Sequence, residues 1–279
     1  MIGVTGCALA QLAPSDDDKP ATTIRLIADR ASIVPGSTVW IGLEFSMAPG
    51  WHIYWPGQND SGYAPVIEWI LPDGLTIGEI HWPVPHRHIV GDQILDHTFE
   101  GRIVALARLT ASGSLTPERP VTIEAGVEWL ECEEGCVPRD GRYALSIPVA
   151  STPTKPGPDA PRIKEARAAL PRDNMGQVLV SWRGLDRVRI TPDLTSSDPS
   201  LSIGPAARVA FYPHESGIPI DTPIRNAEAK APSLELPLDP GSKAPLRGIV
   251  ECWDTDGRSL GAWSIDVPRG KNLPRIVGD

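Results

Sequence analysis

The feature that most constrains this chain is a pair of alternating segments joined by the turn Cys132-Glu133-Glu134-Gly135-Cys136. Val121, Ile123, Ala125, Val127 and Trp129 alternate with polar or small residues, the period-two pattern of a half-buried strand. Tyr143, Leu145, Ile147 and Val149 alternate again on the way out. Glu133-Glu134-Gly135 supplies the turn, with Gly135 able to take a positive φ. Two thiols near the tip of such a hairpin bring their α-carbons within disulfide reach.

Closing so short a loop removes little unfolded-state entropy, roughly 2 kcal/mol on the chain-entropy formula. A large domain gains little from that, whereas a tight pair at a loop tip suits opening and closing by another thiol. A structural staple remains the alternative. A structural zinc site needs four ligands, and no second Cys or His pair has the spacing for one. A catalytic cysteine with its own base finds no histidine close by in the sequence. Glu128, Glu131, Glu133 and Glu134 surround the pair, and negative neighbours disfavour a thiolate. Such charge predicts a sluggish attacking thiol and suits a relay whose disulfide is attacked by a partner's thiolate.

Thirty prolines and 26 glycines make about a fifth of the 279 residues, which points to all-β structure with many turns. The length suits two domains with real cores. A net charge of −9 argues against nucleic acid or an anionic membrane surface as partner. No run of 18 apolar residues exists, so no transmembrane segment is expected.

Residues 1–21 read as an export-signal remnant and a disordered spacer. Val4-Thr5-Gly6-Cys7 has the form of a lipoprotein processing box, and Ala8-Leu9-Ala10 that of ordinary signal cleavage. The protein is expected to be exported, either soluble or lipid-anchored through Cys7. Strands are expected at Thr22–Asp29, Val39–Phe45, Val66–Ile70, Gly78–Trp82, His97–Leu109, Val121–Leu130 and Gly141–Val149. Short strands at this density predict an immunoglobulin-like antiparallel β-sandwich over 22–150.

Residues 151–174 form a Pro-rich linker with one short helix, in which Asp159 can cap, Pro161 sits in the first turn, and Ile163, Ala166 and Leu170 share a face. A second, smaller β-sandwich is expected over 175–268, from strands at Gln177–Trp182, Arg187–Thr191, Arg208–Tyr212, Leu234–Leu238, Leu246–Trp253 and Ser259–Val267. Residues 269–279 read as a disordered tail. Cys252 reads as a buried free thiol packed as a small hydrophobe.

Gly50-Trp51-His52-Ile53-Tyr54-Trp55, Asp60-Ser61-Gly62, Ile67-Glu68-Trp69, Leu71-Pro72-Asp73-Gly74, Trp82-Pro83-Val84-Pro85, Phe99-Glu100-Gly101 and Trp129–Pro138 together resemble the amino-terminal domain of DsbD and ScsB-type proteins. The resemblance covers about residues 22–150. It implies an immunoglobulin-like domain whose cysteines, Cys132 and Cys136, pass reducing equivalents to periplasmic disulfide proteins. It places Tyr54 near the pair and implies a shielding loop before Phe99, with Ile89, Val90, Ile94 and Leu95 as its apolar members. The implied donor is a thioredoxin-like or membrane redox protein, and the acceptor a periplasmic disulfide isomerase or cytochrome-maturation protein. No cofactor is needed.

The cysteine spacing is shorter than in the best-known DsbD domains and closer to the ScsB branch. The chain also lacks the membrane-spanning and thioredoxin-like domains that follow in those proteins, so electrons must come from another protein. Two further readings compete: a binding module with an inert hairpin disulfide, and a copper or zinc handler using the cysteines with His81, His86, His88 and His97.

Overall fold

The computed structural model describes residues 19–117, 119–152, 155–193 and 206–273. The amino-terminal part is built from β1 (Thr22–Ala28), β2 (Thr38–Met47), β3 (His52–Tyr54), β4 (Val66–Ile70), β5 (Leu75–Ile77), β6 (His86–Val90), β7 (Ile94–Glu100), β8 (Arg102–Ala111), β9 (Val121–Cys132) and β10 (Cys136–Ile147). They form two sheets, in the orders β1-β2-β8-β5 and β10-β9-β3-β7-β6, with β4 also on β9. Every pairing between these strands is antiparallel. The sheets close on one core, in which Ile41, Leu43 and Phe45 of β2 meet Ile123, Val127 and Trp129 of β9. This is the immunoglobulin-like sandwich expected from the alternation.

One expected strand, His97–Leu109, is two. The chain turns at Gly101, whose φ of +66° lies where side chains are disfavoured, and passes from one sheet to the other. β7 thus belongs to the cysteine-bearing sheet and β8 to its mate. The expected Gly78–Trp82 strand is a bulged continuation of β5 along β8: Gly78 N bonds Arg108 O, and His81 pairs with Leu106, three residues facing two.

Helix α1 (Ala160–Ala168) lies where the linker was expected, with Ile163 buried against Ile27, Val104 and Leu106 and with Ala166 and Leu170 beside it. Asp159 stands at its N-cap, but its side chain makes no capping bond. The carboxylate instead pairs with Arg25 at 3.0 Å, because the helix docks beside β1.

The second sandwich contains β11 (Arg172–Asp173), β12 (Val178–Trp182), β13 (Arg187–Pro192), β14 (Arg208–Pro213), the short helix α2 (Pro223–Asn226), β15 (Glu228–Ala229), β16 (Leu234–Pro237), β17 (Leu246–Trp253) and β18 (Ser259–Val267). Sheet β11-β18-β17-β14-β15 faces sheet β12-β13-β16 across a core that includes Val180, Ile190, Phe211, Leu236, Val250, Cys252 and Trp263. Alternation sends the other side chains of β14 and β17 outward, and Ala210, Tyr212 and Ile249 enter the core of the first sandwich. The two sandwiches are stacked by apolar burial, not strung on a tether.

Arg269–Leu273, expected to begin a disordered tail, is held. Leu273 exchanges backbone bonds with Val180, and Arg269 reaches the carbonyls of Ser242 and Pro240. Cys7, the signal-like segment and the Ser15–Asp18 part of the acidic spacer lie outside the described residues.

Candidate redox site

The β9–β10 register sets Cys136 directly opposite Cys132. Their Cα atoms are 4.2 Å apart and their sulfurs are bonded at 2.06 Å. The two ends of this bond live in different surroundings. Cys132 is 2% exposed and packs with Tyr54 and Leu130, whereas Cys136 faces solvent.

The buried end is made by strands distant in sequence. β3 pairs with β9 so that His52 stands opposite Cys132. In the run Trp51-His52-Ile53-Tyr54-Trp55 the strand period sends Ile53 into the core and leaves His52 and Tyr54 on the cysteine side. Tyr54 Oη lies 3.2 Å from Cys132 Sγ and 3.5 Å from Cys136 Sγ. The loop after β3 folds back over the tyrosine. Gly62 lies so close that a Cβ there would fall 2.1 Å from the ring, so only glycine lets the loop rest on it.

A hydrogen-bond chain backs the tyrosine. Ser61 Oγ donates to Asp96 Oδ2 at 2.5 Å, and Asp96 Oδ1 accepts the backbone N–H groups of Asp60 and Ser61 at 2.9 and 3.0 Å. With its proton committed to Asp96, Ser61 can only accept from the Tyr54 phenol, 3.3 Å away. The phenol has one proton and two neighbours that want it: Ser61 and sulfur. Burial, helped by Asp96 and opposed by the Ser61 bond, pushes the phenol above its ordinary range, so it keeps that proton at neutral pH. Burial and the neighbouring His88, whose ring centroid is 5.0 Å away, push His52 down, so this histidine favours its neutral form.

Of the four glutamates around the pair, Glu128, Glu133 and Glu134 are exposed. Glu131 points to the other face and is fully buried. Its carboxylate accepts the backbone N–H groups of Ala21 and Thr22 at 3.0 and 2.8 Å and pairs with Arg139 at 2.8 Å. Burial opposes its ionisation, but these bonds outweigh it and hold the group below the usual carboxylate range. It locks the start of β1 to the cysteine hairpin.

Tyr54, placed near the pair by the resemblance, lies within hydrogen-bond distance of both sulfurs. Phe99 is buried in the core and stacked on Trp82, and Leu95 is wholly buried. Register and alternation put Leu95, Phe99 and Ile89 on the sheet face opposite Tyr54. Val90 and Ile94 face each other where the β6–β7 hairpin turns, with Val90 exposed and Ile94 half-buried. The hairpin stands beside the pair, and Cys136 is open to solvent.

The four histidines do not meet. His81 lies against Trp40, His88 against His52, and His97 between Trp55 and Tyr212, while His86 is exposed. Among the described residues no group of three or more His, Cys, Asp or Glu side chains converges to hold a metal. Sequence reasoning missed His52, Ser61 and Asp96. His52 and Tyr54 were findable by period-two spacing, but Asp96 is joined to them only by the folding of three strands.

Fold and site define a β-sandwich protein with a half-exposed hairpin disulfide. Residues 25–148 match the family described as "Thiol:disulfide interchange protein DsbD, N-terminal", and this stretch of the chain belongs to that thiol:disulfide exchange family. The N-terminal periplasmic domain of ScsB from Proteus mirabilis is similar over 92% of this chain and 97% of its own, at 19% identity and a TM-score of 0.56. That likeness shows the fold across both sandwiches. The DsbD N-terminal domain of Neisseria meningitidis, in its reduced form, aligns with 49% of this chain and 95% of its own at 12% identity and a TM-score of 0.30. No curated protein sequence matches the chain.

Proposed function

We propose that this protein relays electrons by thiol–disulfide exchange through Cys132 and Cys136, taking them from a thioredoxin-like or membrane redox donor and passing them to an exported disulfide protein in the periplasm. The observation that carries the reading is the unequal exposure of the two bonded cysteines: Cys136 is an exposed residue, Cys132 is buried under Tyr54. Family membership of the amino-terminal stretch and the likeness to a periplasmic domain support the compartment and the chemistry. Among the described residues no helix is long and apolar enough to cross a membrane.

The steps follow from that asymmetry. A donor thiolate attacks Cys136 Sγ, the sulfur–sulfur bond breaks, and its electron pair goes to Cys132 Sγ. Tyr54 turns its proton from Ser61 toward the new thiolate and stabilises it. The donor's second thiol then opens the mixed disulfide at the donor's own sulfur and releases Cys136. The donor has become a disulfide, this protein a dithiol, and two electrons have moved with the two donor protons. In the second half Cys136 attacks the acceptor's disulfide, and Cys132 resolves the intermediate.

The test is a trapping experiment with the reduced protein and an oxidised thioredoxin-fold partner. Cys132→Ser should accumulate a mixed disulfide through Cys136, visible by non-reducing electrophoresis and mass spectrometry, and Cys136→Ser should form none. A wild-type disulfide that neither thioredoxin nor glutathione opens at long times leaves only a structural staple.

A further inference from the structure

The loop that backs Tyr54 is held from outside its own sandwich. It runs from Trp55 to Gly62, and its far half is bonded to β7: Asn59 Oδ1 accepts His97 N at 2.8 Å, and Asp60 Oδ2 accepts Leu95 N at 2.7 Å. Its near half is bonded to the carboxy-terminal sandwich. Gln58 N donates to Pro213 O at 2.9 Å, and Glu215 N donates to Pro56 O at 3.1 Å. The Gln58 side chain crosses the junction between the sandwiches. Its Nε2 lies 2.9, 3.3 and 3.4 Å from the carbonyls of Ile218, His214 and Gly217, and its Oε1 accepts Ile220 N at 3.2 Å.

Gln58 stands three residues before Ser61, so little chain separates this anchor from the hydroxyl that competes for the Tyr54 proton. Asp96, at the other end of the hydrogen-bond chain, is held from the same side. It lies on β7 opposite His88 of β6, and Arg87 of β6 pairs with Glu228 at 2.5 Å and with the carbonyls of Pro223 and Ile224. Asp96 and Ser61, the two members of the chain behind Tyr54, are thus both referred to the second sandwich.

We propose that Gln58 is a positioning residue through which the carboxy-terminal sandwich sets the reactivity of the Cys132–Cys136 bond, by holding Ser61 and Gly62 against Tyr54. The inference rests on the exchange reading above and gives the second sandwich a part in it. Once the anchor is cut, the loop relaxes along β7, the Tyr54 hydroxyl loses its fixed place beside Cys132 Sγ, and the departing thiolate is less well stabilised. A junction that served only to join the sandwiches would alter melting and leave the chemistry of the disulfide unchanged.

The test measures the rate at which dithiothreitol opens the disulfide in the full chain, for wild type, Gln58→Met, Tyr54→Phe and the double variant. Near-ultraviolet circular dichroism checks that each is folded. Gln58→Met keeps the volume and removes the hydrogen bonds; it should slow reduction roughly three- to tenfold, the value of one well-placed hydrogen bond. In the Tyr54→Phe background the same change should add nothing, because the path runs through the phenol. Gln58→Ala, which removes the same hydrogen bonds, should slow reduction at least as much and serves if Gln58→Met does not fold. Reduction of Gln58→Met at the wild-type rate or faster, or an equal slowing in both backgrounds, overturns this inference and leaves the exchange reading standing. A wild-type disulfide inert to dithiothreitol overturns both.

Discussion

Each sandwich holds cysteine on a strand, and the two places could hardly differ more. Cys136 begins β10 at the rim of its sheet and faces solvent, bonded to a partner in direct register. Cys252 sits one residue before the end of β17, the central strand of its sheet, fully buried among Val209, Val250 and Trp263, and free. Burial, with a smaller push from Glu251, drives the Cys252 thiol up to about 12. In sequence Cys136 reads as part of a hairpin tip and Cys252 as a small hydrophobe within a strand. What separates reactive from inert is whether the sheet ends there and whether a hydrogen-bond donor stands behind the sulfur.

That contrast can be broken experimentally, beginning with the largest effect. In the reduced protein, iodoacetamide should label Cys136 in the native state and leave Cys252 unmodified until the fold is denatured. The ionisation difference by itself slows Cys252 about a thousandfold against an ordinary thiol, before exclusion of the reagent is counted. Peptide mapping under native and unfolding conditions checks this, and native labelling of Cys252 would undo the distinction.

The next test separates packing from reactivity within the first sandwich. Phe99→Ala removes a ring buried against Trp82 and should cost about 3–5 kcal/mol in a denaturant titration. The dithiothreitol rate of molecules that remain folded should not change, because Phe99 lies on the sheet face away from the sulfurs. A faster rate would instead mark Phe99 as part of the shield that the family resemblance implies.

The smallest effect concerns the junction between the sandwiches. His97 is buried between Trp55 and Tyr212. Burial and then Arg87 lower it to about 4, against the opposing pull of Asp96. The unfolded chain therefore binds the proton first as pH falls. Stability contributed by neutral His97 is complete above about pH 6.5 and is lost as pH drops toward 4, up to about 3 kcal/mol. Chemical denaturation across this range should show that slope, and His97→Phe should flatten it.

The sequence carried the architecture well where strands are long and regular. β9, β10, β12, β13, β14, β17 and β18 are all legible as period-two runs, and the hairpin tip lies at Glu133-Glu134-Gly135 between two alternating segments, although Gly135 does not take the positive φ its type allows. It failed where one strand became two. Nothing in the alternation of His97–Leu109 distinguishes a straight strand from one that changes sheets at Gly101, because both halves bury their odd-numbered core residues in the same way. The site divided along the same line. The cysteine pair was legible from the hairpin pattern, Tyr54 through the family resemblance, and His52 through spacing from Tyr54. The Ser61–Asp96 bond and the grip of Gln58 on Ile218 and Ile220 join segments that only tertiary packing brings together.

The lock that Glu131 places on Ala21 and Thr22 bears on how the molecule meets others. Lys19, whose carbonyl lies 3.4 Å from Arg139 Nη2, enters the fold beside the cysteine hairpin and not at the distant end of the second sandwich. Whatever is joined to the chain ahead of Lys19 is attached at the end that reacts. A tether there would keep Cys136 close to the point of attachment, so a partner fixed to the same support would need only a short reach to find it.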